Sequence, residues 1–282
     1  MASNRNRLIV KTAAATLGSA AVAAAAGGWL FLESGLFHVG ATNQHWQWAH
    51  TVLERGMRKS VQYHARDVVT PALAGEQRLL RGAAIYRDNC VQCHGGPGVA
   101  QADIAKAMQP VPGPLVDAAR HWKARELYWI TRHGIKTSGM PAWQFHLADD
   151  DIWSVVAFMQ TLPALSAPRF KAALAPLPPA PKRVAPIMGP ANADRGRVAL
   201  TQYACNACHI IPGVTGSRVY VGRPLTDLGK RKFIAGHVPN TQENLMRWIM
   251  DPQSIDPHTA MPKQGVTAQD ALDISAYLLT KT

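Results

Sequence analysis

The chain has 282 residues, long for one small domain, so two modules with accessory segments are the starting expectation. An apolar fraction of 47% supplies material for real cores. A formal net charge of +12, scattered without a clustered basic run, excludes a nucleic-acid stripe and biases partner choice toward acidic proteins or an anionic membrane.

The first segment with a clear reading is residues 1–33. Arg5, Arg7 and Lys11 precede an uncharged, Ala-rich stretch over 12–32 that ends in Trp29-Leu30-Phe31-Leu32. A bilayer core needs about 20 apolar residues as a helix, so the stretch predicts a transmembrane anchor. Positive charge before the span places the N-terminus in the cytoplasm and the rest of the chain in the periplasm. Ala21-Val22-Ala23 offers a small-residue cleavage site, but the most hydrophobic residues follow it, which favours an uncleaved anchor over a signal peptide. Residues 34–75 read as a membrane-proximal segment. In it Trp46, Trp48, Val52, Leu53 and Met57 predict a short amphipathic helix, and His38, His45 and His50 read as solvated.

All four cysteines fall in two copies of one pattern, Cys90-Val91-Gln92-Cys93-His94 and Cys205-Asn206-Ala207-Cys208-His209. C-x-x-C-H is the haem attachment signature. Two thiols one helical turn apart can each add to a porphyrin vinyl group, and the next residue then supplies its imidazole to the iron. Each copy therefore predicts one covalently bound haem c, with His94 and His209 as proximal ligands. A thioredoxin-like site would need a βαβ setting, and a zinc site would need the pairs to converge across about 110 residues. Disulfides across two intervening residues would be poor staples.

A second axial ligand is needed unless the iron stays open. Gly139-Met140-Pro141 lies 46 residues after His94, and Ala260-Met261-Pro262 lies 52 residues after His209. Proline holds the residue before it extended, which suits a thioether presented from a loop, so Met140 and Met261 are the expected ligands. Met108, Met159, Met246 and Met250 read as core filler. His121, His133, His146 and His258 are the rivals.

Segments around the motifs also repeat. Opening helices are predicted over 76–89, carrying Gly82 and Tyr86, and over 193–204, carrying Gly196 and Tyr203. Closing helices are predicted after Asp149-Asp150-Asp151 and after a Thr267 N-cap with Asp270 three residues on. Middle helices fall near 125–133 and 242–250. A glycine in each opening helix is expected to admit an aromatic side chain of the closing helix.

Both modules resemble class I cytochrome c domains over 76–163 and 191–282. The resemblance implies a mainly α fold: two tandem class I cytochrome c domains, at 76–165 and 191–282, behind an N-terminal transmembrane helix. It also implies a proline after each haem motif whose carbonyl accepts the proximal His Nδ1–H, with Pro114 and Pro224 the nearest matches. Between the domains, residues 166–190 carry seven prolines and predict an extended, non-helical linker, either a spacer or a strap.

These readings point to a dihaem electron carrier in a periplasmic respiratory chain, confined to the inner membrane and passing electrons to a terminal oxidase. Redox proteins would be its partners, and no catalytic residues are assigned. A cytochrome subunit of a periplasmic dehydrogenase complex is the alternative, although the alcohol and gluconate dehydrogenase subunits it resembles typically carry three haem motifs. A haem enzyme or sensor would need one iron without a firm sixth ligand.

Overall fold

The computed structural model describes residues 2–44, 46–180 and 188–281. His45 and the linker residues Pro181 and Pro186 lie outside them. The described chain is mainly helical and divides into two compact units, 1–59 with 107–109 and 60–106 with 110–282.

In the first unit, α1 (Ala2–Glu33) is continuous. From Asn4 to Glu33 it is long and apolar enough, by length and composition, to cross a membrane. The described part of its surface is exposed throughout, including Trp29, Leu30 and Leu32. A second helix, α2 (Gln47–His64), begins at a stacked Trp46–Trp48 pair, and its residues from Ser60 on belong to the second unit.

The second unit holds two hydrophobic cores built to one plan. The first packs α3 (Glu76–Ile85), α4 (Val91–His94), α6 (Ala118–His121), α7 (Ala124–His133) and α8 (Asp149–Met159), with α5 (Asp103–Lys106) against α4. After α9 (Ala167–Leu174), the second uses α10 (Ala193–Gln202), α11 (Gln242–Met250) and α12 (Ala268–Leu279). A small antiparallel pair, β1 (Phe233–Ile234) and β2 (Val238–Pro239), lies before α11 and was not legible in the sequence.

Helix starts follow local chemistry. Asn192 Oδ1 accepts from the Arg195 N–H at 2.9 Å, Thr241 Oγ1 from Asn244 at 3.2 Å, and Thr267 Oγ1 from Asp270 at 3.2 Å. Three acids open α8, where they face the positive end of the helix dipole. One of them, Asp151, accepts from the Ala148 N–H at 3.3 Å and pairs with Arg81 while itself buried. In the second core the buried Asp273 pairs with Arg195 at 2.7 Å.

Each opening helix crosses its closing helix at a glycine. A Cβ on Gly82 would run into the Ser154 carbonyl, and one on Gly196 into the Asp273 carbonyl. The sequence reading expected an aromatic side chain there. What approaches is chiefly backbone, with the Phe158 Cβ also 3.1 Å from the Gly82 position. Tyr277 instead donates its hydroxyl to the Pro212 carbonyl at 2.7 Å.

The linker reading is corrected. Residues 167–174 are helical, because Pro168 occupies the first turn, where its missing N–H costs nothing. Phe170 is fully buried against Tyr86 and Phe158, and its ring stands where a Gly96 Cβ would be. Beyond α9, the Arg87 guanidinium donates to the Leu177 and Pro178 carbonyls at 2.7 and 2.8 Å. Asp88 accepts from the Ala180 N–H at 2.7 Å. The described first part of the linker is thus a strap on the first core.

Candidate functional site

The two cysteine motifs are presented differently. Before Cys90 the helix widens into a π-type turn over Tyr86–Cys90, a local form often met at functional sites, and α4 then carries Cys93 and His94. Before Cys205 the chain passes through Ala204 in the left-handed region at φ 54°, then a 3₁₀ turn, Cys205–Ala207. All four cysteines are partly buried, and none is paired in a disulfide. Burial, with the paired cysteine second, pushes the Cys90 thiol up to about 12 and, as the first cause, the Cys205 thiol up to about 11. The reactive thiol of a redox-active C-x-x-C is shifted downward, opposite to the direction at Cys90 and Cys205. Among the described residues no group of three or more His, Cys, Asp or Glu gathers as a metal site.

The histidines share one geometry. His94 Nδ1 lies 2.7 Å from the Gly113 carbonyl and His209 Nδ1 lies 2.8 Å from the Arg223 carbonyl. A carbonyl only accepts, so each Nδ1 carries the proton and each Nε2 keeps its lone pair free to bind a metal. Burial lowers the His94 pKa, partly offset by the Gly113 bond, which favours the neutral, ligating form. The acceptors correct the sequence reading at Pro114 and Pro224. In each loop the accepting carbonyl belongs to the residue before the proline, which the proline ring restricts to extended backbone. The Pro224 carbonyl is engaged instead by Arg231.

Supporting contacts escaped the sequence reading. Gln101 Nε2 donates to the Cys93 carbonyl at 2.8 Å and also to the Pro112 carbonyl, tying the cysteine motif to the loop that holds His94. In the second motif, Asn206 Nδ2 donates to the Thr215 carbonyl at 3.2 Å. A Cβ on Gly222 would overlap the His209 ring, so the chain can pass over that imidazole only as glycine. Neither the glutamine nor this glycine belongs to a recognisable spacing, because each acts through a contact distant in sequence.

Met140 and Met261 are half-buried and lie in irregular loops. The Met140 N–H donates to Ser138 Oγ at 3.2 Å and the Met261 N–H to Thr259 Oγ1 at 3.3 Å. Their carbonyls are tied back by the Ile135 N–H at 3.2 Å and by Gln253 Nε2 at 2.7 Å. Among the rival histidines, His121 is paired with Asp117, His133 lies against Trp129, and His146 sits edge-on to Trp143. His258 is exposed. Two thiols followed by an imidazole with its Nε2 lone pair available are donors that fit a covalently held haem at a C-x-x-C-H motif.

Residues 77–159 match the family of cytochrome c oxidase, cbb3-type, subunit III. Cytochrome c oxidase subunit 2 of Alkalihalophilus pseudofirmus is 37% identical over 87 residues, which cover 30% of this chain and 25% of that protein. The chain therefore matches about a quarter of the length of that relative. A cbb3-type cytochrome c domain at 77–159 supports a c-type cytochrome, with covalently bound haem c and a role in electron transfer.

Proposed function

We propose that the chain is a membrane-anchored dihaem cytochrome c that relays electrons in a periplasmic respiratory chain, toward a terminal oxidase. The observation that carries this reading is the repeated histidine geometry, which gives the second motif, outside the family match, the same imidazole orientation as the first. In this reading Cys90, Cys93, Cys205 and Cys208 form the thioethers, while His94 with Met140 and His209 with Met261 hold the irons. A haem held in each module supplies a one-electron couple, raised in potential by a thioether ligand. The protein's part is to orient each imidazole through the Gly113 and Arg223 carbonyls and to hold each methionine loop in place, so that little moves when charge changes. α1 would confine the relay to the inner membrane, with redox proteins as partners and the haem modules in the periplasm. Oxidase-related similarity supports an oxidase as the acceptor in preference to a dehydrogenase complex as the donor assembly.

An optical redox titration of the holoprotein, with carbon monoxide added to the reduced form, tests the reading. Two c-type haems inert to carbon monoxide are expected. Rapid binding at either iron would replace the carrier with an enzyme or sensor.

A further inference from the structure

In the second unit, a cavity of about 460 Å³ lies between the two modules. Its walls come from corresponding parts of the two repeats. Asp88 and Asn89, which lead into Cys90, line it together with Tyr203, two residues before Cys205. Trp143, three residues after Met140, lines it together with Gln264, three residues after Met261. Like surface therefore meets like surface, as at an isologous interface, and the surface used is the one beside the cysteine motif and the methionine loop. Phe145 reaches from the first module into the second core, where it meets the Tyr203 ring edge-on, with centroids 6.0 Å apart at 75°. Tyr203 is anchored by its hydroxyl, which donates to Asp270 Oδ2 at 2.7 Å. The strap closes one side of the cavity with Pro179 and Ala180, pinned by Asp88.

We propose that this seam is the internal electron path, and that Phe145 and Tyr203 are positioning residues that hold the haem-binding faces of the two modules together. The inference rests on the dihaem reading above. One electron leaves one module, which is oxidised, and enters the other, which is reduced. No bond is made or broken and no co-reactant is required. A face-to-face arrangement also leaves the outer surfaces of both modules for donor and acceptor, so partners need not compete for the seam.

The test begins with the holoprotein's intact mass, which counts haems before any rate is measured. A single haem would sink the dihaem reading, and this inference with it. With two haems present, one electron is injected by flash photoreduction, and its redistribution between the haems is followed in the unaltered protein and in Phe145→Ala. Hydrogen exchange at Tyr203 and Gly265 reports seam opening independently. Loss of an edge-to-face aromatic contact is expected to open the seam and slow redistribution by about tenfold, with both midpoint potentials retained. Should truncation leave the seam closed by exchange, Phe145→Glu forces a charge into it. Faster exchange with unchanged redistribution, in either variant, overturns the proposal, as does unchanged redistribution and exchange in Phe145→Glu.

Discussion

At the scale of single residues, two side chains lend themselves to direct tests. Replacing Met140 or Met261 by leucine removes a thioether but keeps an apolar side chain of similar size. We expect either change to lower the potential of one haem and open its iron to carbon monoxide, while both haems stay attached. Redox titration and absorption spectra read both effects, and an unchanged spectrum would disprove the ligand assignment. Gly222→Ala acts on the other face. A Cβ there overlaps the His209 ring, so we expect a lower haem content at the second motif, read as haem per polypeptide.

His133 gives a pH dependence with a definite sign. Partial desolvation first, then Arg132 and the nearby His64, lowers its pKa from 6.5 to about 4, against an opposing pull from Asp149. The unfolded chain therefore binds more protons between these values. Stability from the neutral imidazole is fully present above pH 6.5 and is lost as pH falls toward 4. Urea midpoints measured across that window should fall with pH, and should fall less steeply in His133→Gln.

At the scale of elements, the helix crossings and the strap decide stability. Gly82→Ala and Gly196→Ala each drive a methyl into a backbone carbonyl, and overpacking of this kind costs about 1–3 kcal/mol. Phe170→Ala empties a fully buried ring site and should cost about 3–5 kcal/mol in denaturant unfolding of the first module. If Phe170→Ala were neutral, the linker would be a tether rather than part of the core. The helix starts were readable because caps are local: Thr267 and Asp270 stand three residues apart and meet in space. The helix over 167–174 was not readable. Proline content outweighed the single apolar residue that matters, and Phe170 is helical because a core made from 76–159 receives it.

At the scale of the whole molecule, the family match covers one module and leaves the second to the repeat. Two haem-bearing peptides after proteolysis of the holoprotein are the expected outcome. One would restrict the cofactor to 77–159 and reduce the carrier to a monohaem protein.

The sequence by itself determined the chemistry. Two thiols and an imidazole at fixed spacing, and a methionine held before a proline, are covalent facts that no fold has to supply. It also determined the opening, middle and closing helices around each motif and an N-terminal helix long and apolar enough to cross a membrane, because periodicity and caps act over a few residues. Only the tertiary structure decided which carbonyl orients each imidazole, since Gly113 and Arg223 lie 19 and 14 residues from their histidines. It alone brought Phe145 to Tyr203 and laid the strap on the first core. Those contacts depend on how separate elements pack, and packing is set by buried shape and by pairing of distant polar groups, which no local pattern records.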